Sequence, residues 1–257
     1  MSLLRIVLRT ICEAVTAGTF AAVEVSPVDS RVREDGSPRP AARSPRRLGP
    51  WLALLGLFAL VSATVEVHWW NGLDHAASDW SSSHRVPWFW NAAKVVFDVA
   101  TPEVALPITL AIGLLLAWRQ HRWDLAWRAG LQVALVVASV LLLKPLLAVP
   151  GPTRNPLGDH GWAFPSGHTT STVVCAALIL ACLSRPRDRS ARVACAALVV
   201  GIVGASVVYL SYHYVSDAVG GLLLGLLIVT LPVPVVRRQR TPVDATAAGT
   251  GSGSPLA

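Results

Sequence analysis

The sequence predicts an all-α, polytopic membrane protein folded as a six-transmembrane-helix bundle. Of its 257 residues, 53% are hydrophobic and only 14% are charged, whereas about a quarter of the residues are charged in soluble domains. The hydrophobic residues also form long apolar segments of about 18–23 residues, which at about 1.5 Å per residue span a hydrocarbon layer of about 30 Å. These segments lie near residues 50–70, 100–118, 126–148, 166–184, 191–211 and 214–236.

Three regions follow from this pattern. Residues 1–25 are weakly amphipathic, and Arg5 and Arg9 interrupt their apolar stretch, which is typical of an interfacial helix or an extension without its own fold rather than a signal peptide. Residues 26–49 are rich in Arg, Ser and Pro, which predicts a disordered basic segment. We therefore expect an N-terminal extension at 1–49, a membrane domain at 50–236 and a disordered cytoplasmic tail at 237–257.

The second apolar segment is preceded by a stretch with a different character. Residues 86–100 predict a short interfacial helix, because tryptophans concentrate in and before this stretch. Aromatic belts at membrane edges explain this clustering, and a carbohydrate- or lipid-binding platform is the alternative. The five tryptophans concerned are Trp69, Trp70, Trp80, Trp88 and Trp90.

The distribution of Lys and Arg predicts the orientation. If the N-terminus is cytoplasmic, 18 of the 22 basic residues fall on the cytoplasmic side and four on the other side, as the positive-inside rule requires. Both termini are then cytoplasmic in a multi-pass protein of the cell membrane. Because the basic residues lie between apolar segments rather than on one helical face, the net charge of +7 does not indicate nucleic-acid binding. The oligomeric state is not readable from the sequence.

With this topology, three polar clusters meet on the extracytoplasmic face. Lys144 ends the third apolar segment, Pro165–His168 begins the fourth, and 206–217 connects the fifth to the sixth. Charged groups at membrane depth cost at least about 2.5–3.5 kcal/mol each on insertion scales. These groups are therefore candidates for function.

The start of the fourth segment has the character of an anion site. Ser166, Gly167 and His168 occupy the first helical turn, where backbone N–H groups lack partners and the helix dipole is positive. Gly167 allows close approach to the backbone, and Lys144 adds a point charge for a phosphate oxygen. Helix capping by Ser166 and snorkelling of Lys144 to the interface are the structural alternatives.

Two histidines supply the chemistry. His213 and Asp217 are four residues apart, so that the carboxylate can fix one imidazole nitrogen and leave the other as a nucleophile. His168 can protonate the departing oxygen. A metal site formed by His160, His168, His213 and Asp217 is the competing interpretation, but the sequence has no compact ligand motif, and we expect neither metal nor other cofactor.

At this point the chain resembles the type 2 phosphatidic acid phosphatase superfamily, which includes vanadium haloperoxidases and undecaprenyl-pyrophosphate phosphatases. The resemblance covers about residues 50–236. The family pattern is Lys-x6-Arg-Pro, then Pro-Ser-Gly-His, then Ser-Arg-x5-His-x3-Asp. Pro165–His168 match the second motif in full, and Ser206, His213 and Asp217 match the third.

Both motif arginines are absent, because Gly151 and Val207 stand at their positions. Arg154 lies three residues after Gly151, and we hypothesise that it holds the phosphate instead, with help from His160. The resemblance implies a membrane phosphatase that hydrolyses a lipid phosphate or pyrophosphate through a phosphohistidine, without a metal. The alternatives are a degenerate member that binds lipid headgroups without catalysis, and a lipid phosphotransferase.

Overall fold

The computed structural model describes residues 48–152, 161–182 and 189–232. In these residues the regular secondary structure is helical, apart from an isolated antiparallel bridge between Pro150 and Trp162. The helices of the described chain are α1 (Leu48–Glu66), α2 (Asn71–Ser83), α3 (Pro87–Ala100), α4 (Pro102–Arg119), α5 (Trp123–Leu147), α6 (Gly167–Cys182), α7 (Arg189–Tyr209) and α8 (Val215–Thr230).

The predicted all-α membrane fold is confirmed. Among the described residues, α1, α4, α5 and α7 are long and apolar enough to cross a membrane, and α6 and α8 are shorter apolar helices. These six helices coincide with the six predicted segments, and the number of crossings remains a prediction. The expected N-terminal extension and C-terminal tail lie outside the described residues, except for the first residues of α1.

Helices α2 and α3 lie between the first two predicted spans. The prediction of a short helix before the second span is confirmed by α3, whose membrane-interface location stays a prediction. Helix α2 was not predicted, because its sequence NGLDHAASDWSSS has no apolar stretch. It nevertheless buries the polar side chains of Asp74, Ser78 and Ser81. Tertiary contacts therefore stabilise this helix, rather than an apolar face.

Helix α6 lies at the centre of the bundle and packs on α8 with very little space between them. A Cβ atom placed on Gly221 would lie 2.5 Å from the Ser166 carbonyl oxygen, and one placed on Gly225 would lie 2.6 Å from the Val173 Cβ. The glycines of α8 therefore allow the backbones of these helices to approach closely, as small residues do in membrane bundles. This packing brings the first turns of α6 and α8 together.

Helix α5 changes its winding just before Lys144. Its turn Ser139–Leu143 is π-helical, and the next residue but one, Pro145, has no N–H to donate to the preceding turn. The helix ends at Leu147, and the next residue, Ala148, has a φ of 50°. The irregular turn directly precedes Lys144 in the sequence.

Candidate active site

The three polar clusters of the sequence meet at one end of the bundle. The backbone N–H of Ser166 donates to the Asp217 carbonyl oxygen at 3.0 Å, which joins the starts of α6 and α8. The N–H of Ala163 donates to the Val149 carbonyl oxygen at 2.8 Å, which joins the chain after α5 to the chain before α6. These backbone bonds connect segments that are distant in sequence at a single location.

His213 and Asp217 form a buried pair. The Nδ1 atom of His213 lies 3.4 Å from Oδ2 of Asp217, and the Tyr214 N–H donates to the same oxygen at 2.8 Å. His213 precedes α8 rather than lying in it, so the two side chains meet across the first turn of α8 and not along a helical face. Asp217 Oδ1 is also buried, without a hydrogen-bond partner among the described residues.

His168 faces His213 from α6. The two ring centroids are 6.1 Å apart. Phe97 of α3 stacks on the His168 ring at 4.1 Å and on the Tyr212 ring at 4.0 Å, so that it lies between the two segments carrying the histidines. The Nε2 atom of His168 is 3.4 Å from the Thr101 hydroxyl oxygen. Helix α3 therefore helps to orient His168, which the sequence did not indicate.

Lys144, Gly167 and Ser166 surround the two histidines. The half-buried Lys144 interacts electrostatically with His168 and with Asp217. Gly167 packs against Val140 of the π-helical turn, since a Cβ there would lie 3.4 Å from a Val140 methyl carbon. Ser166 is fully buried, and its hydroxyl oxygen accepts the Thr169 N–H at 3.4 Å as a cap of α6.

The residues that replace the two motif arginines differ in their surroundings, since Gly151 is half-buried and Val207 is fully buried. A Cβ on Gly151 would lie 3.2 Å from the Ala163 Cβ, and 3.7 Å from the Tyr212 carbonyl oxygen. Val207 is fully buried and packs with Ala100 and Val203 in a small apolar cluster. Neither residue supplies a cation at its motif position. Arg154 and His160, which we expected to compensate, lie outside the described residues.

A buried carboxylate that sequence reasoning missed lies beside this site. Asp74 of α2 accepts the Ser216 N–H at 3.0 Å and the Ser216 hydroxyl at 2.6 Å. Burial raises the pKa of Asp74 above its usual value, although the hydrogen bonds from Ser216 act in the opposite direction. No sequence pattern links Asp74 to a serine 142 positions away.

An apolar cavity of about 1160 Å³ extends from the site along the helices. Near the site its lining includes Thr169, Ser206 and Val215, and towards the other end of the bundle it includes Leu180 and Val229. Small residues of α7 form one wall. These are Ala196, Ala197, Gly201, Gly204 and Ala205.

Fold and site together define a multi-pass helical membrane protein with a polar, histidine-containing site at one end of its bundle. The PAP2 superfamily model matches residues 88–241, which is more than half of the chain. The chain belongs to the PAP2 superfamily, and the resemblance noted in the sequence is confirmed.

Similar proteins agree with this assignment. Phosphatidylglycerophosphatase B of Bacillus subtilis (strain 168) is 26% identical over 190 residues, which cover 70% of this chain and 91% of that protein. The crystal structure of a transmembrane PAP2-type phosphatidylglycerolphosphate phosphatase from Bacillus subtilis has a TM-score of 0.59 at 26% identity, over 70% of this chain and 92% of that one. Aquifex aeolicus LpxE, 21% identical with a TM-score of 0.50 over 63% of this chain and 96% of its own, shares the fold.

Proposed function

We propose that this protein is a metal-independent lipid phosphatase that hydrolyses a lipid phosphate or pyrophosphate through a phosphohistidine. The observation that carries the proposal is the arrangement of the buried His213–Asp217 pair, 3.4 Å apart, opposite His168, whose ring centroid lies 6.1 Å from that of His213. A nucleophile fixed by a carboxylate, with a second base across a gap, is the arrangement that nucleophilic phosphoryl transfer requires.

The geometry supports a two-step reaction. His213 donates its Nδ1–H to Asp217, which leaves Nε2 to attack phosphorus while the bond to the leaving oxygen breaks and His168 protonates that oxygen. In the second step His168 accepts a proton from water, the water oxygen attacks phosphorus, and the P–N bond breaks to release phosphate and restore His213.

Lys144 and the first turn of α6 are proposed to hold the non-bridging oxygens. The Lys144 ammonium supplies a cation, and the Gly167 and His168 N–H groups stand at the positive end of a helix dipole. The fully buried Ser166 supports this turn by capping it. In this proposal Arg154 is the second cation.

The apolar cavity supports a lipid substrate. It begins beside the site, at Thr169 and Val215, and follows α6, α7 and α8 towards the opposite end of the bundle. A water-soluble phosphate ester would leave this volume unfilled, whereas a lipid could place its headgroup at the histidines and a chain along the helices. The name of the Bacillus subtilis relative, a phosphatidylglycerophosphatase, favours a glycerophospholipid phosphate monoester. We propose that the site faces the extracytoplasmic side, on the charge asymmetry of the sequence.

The test is an assay of the purified protein in detergent with EDTA, measuring phosphate release from phosphatidylglycerophosphate, phosphatidic acid and a polyprenyl pyrophosphate. We expect EDTA-resistant release from at least one lipid, and its loss in His213→Ala. Release that stops with EDTA would contradict the metal-independent mechanism. Transfer of phosphate to an added lipid or alcohol acceptor would identify a phosphotransferase instead.

One observation favours a second function, the binding of lipid headgroups without catalysis. Neither arginine of the family motifs is present, because Gly151 and the buried Val207 occupy their positions. If no lipid phosphate is hydrolysed but the protein binds phosphatidic acid vesicles more tightly than phosphatidylcholine vesicles, this second function replaces the first.

A further inference from the structure

We propose that Asp74 is a positioning residue for the catalytic pair, so that α2 forms part of the active site. This inference rests on the proposed function of His213 and Asp217. It gives a purpose to the helix that no sequence pattern predicted.

The contact between Asp74 and Ser216 has a geometry that supports this role. Asp74 uses both carboxylate oxygens on one residue, accepting the Ser216 N–H at 3.0 Å and the Ser216 hydroxyl at 2.6 Å. Ser216 lies in the first turn of α8 and directly precedes Asp217, whose Oδ2 lies 3.4 Å from His213 Nδ1. The contact of Asp74 therefore fixes the turn that carries the orienting carboxylate.

The first turn of α8 is held by contacts from both α6 and α2. On the α6 side, the Asp217 carbonyl oxygen accepts the Ser166 N–H at 3.0 Å. On the α2 side, Asp74 holds Ser216, and the His75 ring packs edge-on against the Tyr214 ring at 5.7 Å. The turn thus receives one polar contact from α6 and another from Asp74 of α2.

The free energy of burying Asp74 also supports this role. Asp74 is 5% exposed, and burying a carboxylate costs free energy unless hydrogen bonds and favourable charges offset it. The negative charge of Asp217 acts on Asp74 unfavourably. Accepting a helix N–H with a buried carboxylate close to a second carboxylate is therefore unfavourable in free energy. A neutral serine or asparagine side chain could accept the same N–H without that cost. The arrangement is better explained by the rigid geometry that a two-oxygen contact gives.

The experiment compares Asp74→Ala, Asp74→Asn and Ser216→Ala with Asp79→Asn, a matched control at an exposed position of the same helix. Loss of a residue that orients the ligands of a metal site typically lowers activity by about 10–100-fold, and we take the same order for a residue that orients a catalytic pair. We expect Asp74→Ala to lower kcat by about that factor with KM nearly unchanged, and Asp74→Asn to recover most of the loss because its amide still reaches Ser216. Asp79→Asn should match the wild type.

The double variant Asp74→Ala/Ser216→Ala should be no worse than Asp74→Ala, because residues that share one contact are non-additive. Multiplying effects in the double variant, or a wild-type kcat in Asp74→Ala, would overturn the proposal. If Asp74→Ala does not fold, Asp74→Asn and Ser216→Ala are compared with each other instead. We expect Ser216→Ala to lower kcat and Asp74→Asn to lower it less, and the opposite order would contradict the proposal.

Hydrogen–deuterium exchange separates this proposal from the proposed function. Asp74→Ala should speed exchange at residues 214–218 and leave the rest of α8 unchanged, whether or not the wild type hydrolyses a lipid. A wild type without activity but with this exchange pattern would contradict the phosphatase proposal alone. Unchanged exchange at 214–218 would contradict the role of Asp74 alone.

Discussion

Cations determine how firmly the site can hold a phosphate. Among the described residues of this end of the bundle, Lys144 interacts electrostatically with His168 and Asp217, while Arg85 lies 4.6 Å from the Trp90 ring centroid in a cation–π contact. Val207 is fully buried in an apolar cluster with Ala100 and Val203, and supplies no charge. These surroundings direct the proposal towards Arg154.

The first prediction concerns Arg154. Removing one preorganised donor to the transition state costs about 10²–10³-fold in turnover, and we expect this loss in Arg154→Ala. Arg154→Lys should recover part of it, because an ammonium keeps the charge but not the bidentate geometry. Steady-state phosphate release in detergent is the measurement, and Arg85→Ala is the control with an unchanged rate. Wild-type turnover in Arg154→Ala would contradict the role of Arg154.

Helix packing determines where the histidines lie. The first turns of α6 and α8 approach closely because Gly221 has no side chain and Thr170 uses its hydroxyl to bond the Gly221 carbonyl oxygen at 3.1 Å. This contact holds the Ser166–His168 turn against the segment that carries Asp217. The position of His168 relative to His213 is thus a property of two helices together.

The second prediction concerns Gly221→Ala. The added methyl group would lie 2.5 Å from the Ser166 carbonyl oxygen and 3.0 Å from the Thr169 Cβ, and overpacking of this kind costs about 1–3 kcal/mol. We expect a lower midpoint of thermal unfolding in detergent and a lower kcat. Gly130→Ala is the matched control, since nothing lies within 4 Å of a Cβ at that position. If Gly221→Ala behaves as the control does, the packing does not set the site geometry.

At the scale of the whole molecule, the apolar cavity extends from beside the site along α6, α7 and α8. It involves helices from both halves of the chain and is lined mostly by Ala, Gly, Val and Leu. A single helix could not form it. Under the proposed function, residues far from the reacting phosphorus should therefore affect how well lipids of different chain length are hydrolysed.

The third prediction tests this link with Gly201→Leu. Gly201 lines the cavity, and a Cβ there meets nothing within 4 Å, so a larger side chain fills the cavity without disturbing the helices. One methylene group more or less in an apolar pocket alters kcat/KM by about 10–200-fold. We expect kcat/KM to fall at least about tenfold for long-chain lipid phosphates and to stay constant for a short-chain phosphate.

The control for this prediction is Gly56→Leu, which adds the same side chain to α1 at another open position outside the cavity lining. It should leave both substrates unaffected. Equal losses on short and long substrates in Gly201→Leu would show a general defect and contradict a lipid chain in the cavity.

The sequence by itself determined the membrane fold class and the family. Apolar segments reveal membrane spans because backbone polar groups must form their hydrogen bonds within a helix in lipid. The motifs at Pro165–His168 and Ser206–Asp217 reveal the family because their residues stand at fixed local spacings. It also indicated α3, but not α2, since a polar helix stabilised by tertiary contacts has no local pattern.

Only the tertiary structure decided how those residues are supported. It placed Phe97 between His168 and Tyr212, and Asp74 on Ser216. These contacts join positions up to 142 residues apart, so local sequence patterns do not reveal them. It also showed that Val207 is buried among apolar side chains and that Gly151 lies beside Ala163 and Tyr212. Such features depend on which helices approach each other, and that is set by side-chain volume across the whole bundle rather than by local sequence.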